Sequence, residues 1–341
     1  MRSHDSNKGR SRSKRRTINT NILYILLILV LILYFILRYN SLLLAILSAI
    51  GILLFILILI FEIYNIAVEE GLKKAAIELI IVSVVIVLLF YGLSIFTGSR
   101  YPLDVVPSCS MLPNLHRGDI ILINRVSIDQ LKAPIINITG YQYRQLYNNL
   151  SSYQYECVYY KKLNNTEFGY RIEISDNYSA GFKLGLYNPY SKRLIYNSSF
   201  YNGFIGFECT NATRLYINGS SMKIAYLKAL IVNNITIYGD RNNSIIVYST
   251  TPNDTFYQEG ATLISHRVYA ILRYGSNYSI LTKGDNNPGL DQQYGNYPVN
   301  YSNYNGKVVY IIPYLGYLKL LISGVSDNTD CNSYIKNATI I

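Results

Sequence analysis

The run LLLAILSAIGILLFILILIF, Leu42–Phe61, holds 20 residues without a charge, and LIIVSVVIVLLFYGLSIF, Leu79–Phe96, holds 18. At a helical rise of ~1.5 Å per residue, about 20 such residues cross the hydrocarbon core of a bilayer. A third run, ILYILLILVLILYFIL at Ile22–Leu37, has 16, and uncharged Thr20 and Asn21 can carry it into the interface. Leu and Ile occupy every face of these runs, so lipid is the expected surrounding rather than the core of a soluble protein. A secretory signal peptide is the competing reading of the first run. No small-residue cleavage site follows Leu37, however, and the next apolar run begins almost at once. The expectation is three retained transmembrane helices within residues 21–98.

Charge orients them. Residues 1–16 carry seven Lys/Arg against one Asp, which marks 1–20 as a basic cytoplasmic tail. The turn RYNS then falls outside, and EIYNIAVEEGLKK, with Lys73 and Lys74, falls inside. Everything after Phe96 is expected on the extracytoplasmic face of a multi-pass protein of the cell membrane. Glycosylation acceptors of the form N-x-[ST] agree: Asn137, Asn149, Asn164, Asn177, Asn197, Asn211, Asn218, Asn234, Asn242, Asn253, Asn277, Asn300 and Asn337, with none earlier in the chain. The net charge of +11 is not a nucleic-acid signature, because much of it lies in the tail, where it faces anionic lipid headgroups. From residue 97 onward 21 basic residues stand against 15 acidic ones, an ordinary solvated surface.

All four cysteines lie in this exterior part, where disulfides persist. Cys157 and Cys209 share one region and can pair; Cys109 and Cys331 either pair or stay free. Segments 99–126 and 241–323 read as strands, among them DIILIN, SIIVYS, SHRVYAILRY and YSILTK, rich in β-branched and aromatic residues. Between them, 127–240 is a Tyr/Asn/Ser-rich stretch whose short apolar-polar alternations, broken by Gly, Asn and Pro, read as a glycosylated β insertion. VVYIIPYLGYLKLLIS, Val308–Ser323, suits a core strand or a membrane-surface patch equally, and 324–341 reads as a C-terminal tail.

The stretch DVVPSCSMLPNLHRGDIILIN, Asp104–Asn124, crowds Ser108, Cys109 and Ser110 together. A serine hydroxyl is almost wholly protonated at neutral pH and needs a base to attack a carbonyl. The exterior has two imidazoles. His116 is six residues from Ser110, about 20 Å away if the chain runs extended; His266, on a predicted strand, reaches Ser110 only through the tertiary fold. Asp285 and Asp291, in LTKGDNNPGLD, are carboxylates that can accept the Nδ1 proton of His266 and leave Nε2 free for Ser110.

Together, PSCSMLP…HRGDIILI, then SHRV, then ILTKGDNNPGLD closely resemble the type I signal peptidases, in the archaeal and endoplasmic-reticulum branch that uses Ser and His. The resemblance covers about 110 residues, and IPYLGYL is similar to the family's closing segment. It implies a membrane α-helical anchor plus an exterior, mainly-β catalytic domain, here carrying the β-rich insertion. It also implies a serine endopeptidase that removes signal peptides after small residues at −1 and −3. By the same resemblance Ser110 is the nucleophile, His266 the base, and Asp291 or Asp285 its orienting partner. Asp291 is slightly favoured, while Asp285 either orients the ring or braces its loop. Ser108 with the Ser110 amide matches the family's oxyanion hole, where one donor contributes ~3 kcal/mol.

The partners implied are preproteins, membrane lipid and the secretion translocon, with no nucleic acid. No cofactor is expected, and CxxC, HExxH and P-loop patterns are absent. His-type boxes and dense acceptor sites together suggest an archaeal source. Three departures stand out. The family has Gly where Cys109 stands, which raises a steric question if the backbone needs positive φ. A Cys109 thiolate nucleophile would fall one position off the motif. Three spans and a long insertion also exceed the usual plan. The competing class is a non-catalytic membrane glycoprotein or scaffold subunit.

Overall fold

The computed structural model describes residues 17–37, 41–163, 167–171, 173–175, 180–323 and 331–336. The basic residues 1–16 and the acceptors Asn164, Asn177 and Asn337 lie outside the described residues. The chain divides into two compact units after Gly92.

The apolar runs form α1 (Asn21–Ile36), α2 (Ser41–Glu69) and α3 (Leu72–Thr97). Two of these, α2 and α3, are long and apolar enough to cross a membrane. Helix α1 differs from the expectation of a third span. Its 16 residues rise only about 24 Å, short of the ~30 Å hydrocarbon core. The expected inner turn is also shorter than it reads, because α2 continues through the helix-forming EIYNIAVE and stops where Gly71, at φ 94°, takes the left-handed conformation. Polar groups staple α1 to α2. Thr20 donates to Glu62 at 2.7 Å, and Asn65 exchanges two hydrogen bonds with the backbone of Ile18 at 2.8 Å each.

The second unit is mainly β. A seven-stranded sheet runs in the order Leu103–Val105, Ile120–Asn124, Tyr304–Ile312, Ile245–Ser249, Leu263–Tyr274 and Asn277–Lys283, with Ile135–Asn137 lying parallel to part of Leu263–Tyr274. Alternation reads directly in IILIN: Ile121 and Ile123 are fully buried while their neighbours are half-exposed. In contrast, Leu263–Tyr274 is buried continuously from His266 to Leu272, the pattern of a strand covered on both faces. Val268 and Ile271 pack with Ile246, Tyr248 and Tyr304 in one cluster, and Tyr269, Ala270 and Leu272 pack in another.

That other cluster is made largely by residues 127–240. Phe204, Phe207, Leu227 and Leu230 share it with Tyr269, Leu272, Leu281 and Leu290. The stretch expected as an insertion is therefore the other half of one core. It contributes five strands of a six-stranded sheet built on two 12-residue strands, Ile205–Tyr216 and Ser221–Val232, and a four-stranded sheet containing Glu156–Leu163. These central strands are longer than the short ones expected. A disulfide between Cys157 and Cys209 joins the two sheets. A helix, Gly140–Asn148, also departs from the all-strand expectation, although its signal is visible in TGYQ. Thr139 accepts from the Gln142 amide at 3.2 Å, and the Gln142 side chain accepts from the Thr139 amide at 2.9 Å, a reciprocal cap.

Val308–Ser323 divides between a sheet strand, as expected, and a short helix. Tyr304–Ile312 is a sheet strand, and after Pro313–Gly316 the chain forms a short helix, Tyr317–Ile322, on which Leu321 and Ile322 are 77% and 79% exposed.

Candidate active site

Three chain segments meet around Ser110. The first is the loop between Val105 and Ile120. Its neck is closed by Val106 N–H to Asp119 O and Gly118 N–H to Val106 O, both 2.9 Å, and Met111 and Leu115 are its apolar pegs, almost wholly buried. The buried Asp119 carboxylate accepts from the His116 amide at 2.7 Å and the Tyr314 amide at 3.0 Å. The Asp of HRGD thus ties the loop to the segment after Tyr304–Ile312.

The second segment is Leu263–Tyr274. Strand alternation sends His266 and Arg267 to opposite faces, and this parity decides the roles of the two aspartates. On one face His266 Nδ1 lies 2.7 Å from Asp291 Oδ2, while Nε2 lies 2.9 Å from Ser110 Oγ. The carboxylate has no proton to give, so Nδ1–H donates to Asp291, and Nε2 is left to accept from the Ser110 hydroxyl. On the other face Arg267 makes a two-pronged bond to Asp285, both contacts 2.7 Å, and the Asn114 side-chain nitrogen donates to the same carboxylate at 2.7 Å. Asp285 therefore does not touch His266. Of its two expected roles, orienting the ring is excluded by this geometry, and Asp285 fastens the third segment to the Ser110 loop through Asn114.

The third segment, Gly284–Tyr294, must pass close beneath Ser110. A Cβ on Gly284 would lie 2.7 Å from the Ser110 carbonyl oxygen, closer than real atoms approach. Asp291 opens a short 3-10 helix, Asp291–Tyr294, and its own carbonyl accepts from the Asn296 side chain at 2.9 Å.

Sequence reading does not anticipate Tyr248. From the neighbouring strand its hydroxyl donates to Asp291 Oδ2 at 2.9 Å, the same oxygen that holds His266. Burial, followed by the charge of Asp291, pushes the Tyr248 phenol well above its ordinary range, so it remains a neutral donor. Burial alone would raise the Asp291 carboxyl. The charge of His266, with the hydrogen bonds from His266 and Tyr248, outweighs it, and the group stays below the usual carboxylate range. Edge-on contact with Phe256, at 6.0 Å between ring centroids, bounds the imidazole further. His266 and Asp291 are buried, whereas Ser110 remains half-exposed. This is the arrangement a nucleophile and its supports require.

The Ser108 hydroxyl is 3.1 Å from Ser110 Oγ. Cys109 is disulfide-bonded to Cys331, which resolves the two alternatives for that pair and leaves no thiol for nucleophilic attack. It is also not among the described residues with positive φ, so a side chain there meets no backbone objection. His116 lies 3.8 Å from Asp119 and against Tyr314, apart from these contacts. Lys283 Nζ donates to the Gly284 carbonyl at 3.0 Å and sits over the Tyr226 ring at 4.6 Å. Among the described residues no group of three or more His, Cys, Asp and Glu is placed to hold a metal ion.

Of the acceptors within the described residues, Asn137, Asn149, Asn197, Asn211, Asn218, Asn234, Asn242, Asn253 and Asn277 are exposed and Asn300 is half-buried, so none is closed to modification by burial.

No protein-family profile matches this chain, and no curated protein matches it in sequence.

Proposed function

We propose that the chain is a membrane-anchored serine endopeptidase that removes signal peptides from exported preproteins. One observation carries this reading: Ser110, His266 and Asp291, from three distant segments, lie in a single hydrogen-bonded series. In the reaction, His266 Nε2 takes the hydroxyl proton as Ser110 Oγ bonds to the scissile carbonyl carbon. The carbonyl π electrons move to oxygen, where the Ser108 hydroxyl and the Ser110 amide donate to the oxyanion. As the C–N bond breaks, His266 returns the proton to the leaving amine. Water, deprotonated by the same nitrogen, then hydrolyses the acyl ester and regenerates Ser110. Asp291 stays ionised throughout, holding the ring's tautomer and balancing the imidazolium.

The anchor supplies proximity. Ser110 follows Phe96 by 14 residues, a short tether to the anchor, and a precursor held in the same bilayer by its own apolar segment meets it at a raised effective concentration. In this proposal α1 is the third span, completed by Thr20 and Asn21 in the interface. The β unit is extracytoplasmic and bears glycans on its exposed asparagines, and the partners are preproteins, lipid and the translocon. The substrate class follows the resemblance to type I signal peptidases. The Cys109 departure, the best support for a non-catalytic glycoprotein, loses its force once that residue is seen in a disulfide without positive φ.

The test is cleavage of a precursor with Ala at −1 and −3 by the purified protein in lipid vesicles, read as the masses of both products. A single cut after −1, lost when −1 is Phe, is expected. Cuts scattered along the precursor, or none, would remove the assignment.

Two substitutions probe the supports. Tyr248→Phe deletes one donor to a buried carboxylate, and kcat is expected to fall about tenfold with KM nearly unchanged; unaltered kcat would make that hydrogen bond incidental. Gly284→Ala forces a Cβ into the Ser110 carbonyl and is expected to cost ~100-fold in kcat, since a displacement of ~1 Å in a reacting group has that effect. Wild-type turnover in this variant would show that the loop yields freely.

A further inference from the structure

We infer that residues 331–336 form a strap that positions Ser110, with Asn286 as its clasp, and that residues 127–240 anchor this strap. The inference rests on the reading of Ser110 as nucleophile.

The observations are independent of one another. Cys331 is covalently joined to Cys109, the residue before Ser110. Beyond it, Ser333–Lys336 pairs antiparallel with Thr213–Tyr216, at the end of the long strand Ile205–Tyr216, and Asn332 O accepts from the Ile217 amide at 2.8 Å. Ile335 pins the strap by burying its side chain against Ala212, Ile224 and Tyr226. Asn286 bridges the two sides. Its backbone amide donates to Ser110 O at 2.7 Å. Its side-chain nitrogen donates to Cys109 O and to Ser333 O, each at 3.1 Å, and its side-chain oxygen accepts from the Ile335 amide at 2.9 Å. Both side-chain protons and the carbonyl are thus used, and the side chain is buried. No other amino acid of that size offers two donors and an acceptor on one planar group. Behind the clasp, the Leu227 amide donates to Pro288 O at 2.8 Å, so the strand Ser221–Val232 also grips the Asn286 loop.

Together these contacts hold the backbone on both sides of the Ser110 side chain against a sheet that contributes no reacting group. Residues 127–240 thereby acquire a structural role as the wall on which the nucleophile loop is fastened. Asn286 is a positioning residue, because it meets Ser110 only through the backbone.

The experiment compares wild type, Asn286→Ala, Cys109→Ala/Cys331→Ala and Cys157→Ala/Cys209→Ala in vesicles. Asn286→Ala and the 109/331 variant are expected to lose at least tenfold in kcat with KM within about twofold. Dithiothreitol should reproduce that loss in wild type and in the 157/209 variant, but leave the 109/331 variant unchanged. Hydrogen exchange across residues 106–115 should accelerate in Asn286→Ala and the 109/331 variant, while exchange in Leu263–Tyr274 stays as in wild type. Wild-type kcat and unchanged exchange in both variants would overturn the strap. If wild type cleaves no precursor, the protease reading fails by itself; the exchange comparison still decides whether the strap holds the loop. Acceleration across residues 106–115, with Leu263–Tyr274 unchanged, supports it, and no acceleration there refutes it.

Discussion

Replacing Ser110 by alanine is expected to lower kcat/KM for a precursor by at least ~10⁴-fold, with binding and fold intact. The hydroxyl is half-exposed and, among the described residues, hydrogen-bonds to Ser108 and His266, so on its removal water can take its place at His266 Nε2. The loss is therefore chemical. Alanine retains the anchor, the disulfides and the oxyanion donors, and these set a residual rate above that of water. The measurement is the rate of precursor shortening in vesicles at matched protein, with thermal unfolding as the control for folding. A loss under tenfold would mean that another group attacks. Cys109 is unsuited to that role, since its sulfur is bound to Cys331.

The second large effect separates the two aspartates. Asp291→Asn is expected to reduce kcat by about 10⁴-fold, because an amide in place of the carboxylate no longer fixes Nδ1 as the donor and leaves the wrong imidazole tautomer facing Ser110. Asp285→Asn should act chiefly on stability. It removes the charge opposite buried Arg267, a change that typically costs ~3 kcal/mol, and it loosens the Asn114 contact without touching His266. The readouts are kcat for the first variant and the unfolding midpoint for the second. The reverse assignment, with Asp285→Asn abolishing turnover in a fully stable protein and Asp291→Asn active, would contradict the geometry.

The pH dependence has a fixed sign. The Asp291 carboxyl is depressed in the folded protein, so its stabilising contribution is complete above the ordinary carboxylate pKa and disappears only as strong acid protonates the folded group. Between neutral and mildly acidic pH Asp291 keeps its charge, so the unfolding midpoints of wild type and Asp291→Asn should keep their separation there and converge only in strong acid. Midpoints that converge already at mildly acidic pH would contradict a depressed Asp291 carboxyl.

The site is legible in the sequence to the extent that chemistry compresses it into short boxes. SCSM, SHRV and KGDNNPGLD each hold a reacting or supporting group within a few residues. What those letters do not display is parity. Whether Asp285 or Asp291 meets His266 depends on the face to which Arg267 turns, and on the pairing of Arg267 with Lys283 across the hairpin, a property of register rather than spacing. Tyr248 is invisible for the same reason: it reaches Asp291 from the adjacent strand, and nothing in SIIVYS distinguishes it from any half-buried tyrosine. The Cys109–Cys331 bond, 222 residues apart in sequence, depends on a sheet edge that only the fold creates. The extent of residues 127–240 is readable, but their merger with the core is not, because Phe204 and Leu230 meet Tyr269 and Leu272 only across the assembled sheets. The apolar runs yield α2 and α3 plainly, since length and composition alone determine them. Helix α1, at 16 residues, sits at the margin where that criterion stops deciding.

If Ser110 and His266 act as one unit, a double-mutant cycle shows it most directly. Cleavage rates would be measured for wild type, Ser110→Ala, His266→Ala and the double variant, in the same vesicles and with the same precursor. Each single variant is expected to fall by about 10⁴-fold or more, and the double variant to be no slower than the worse of the two, because either change alone disables the shared step. Losses that multiply in the double variant, or a His266→Ala protein that cleaves as fast as wild type, would show that the two side chains do not share that step.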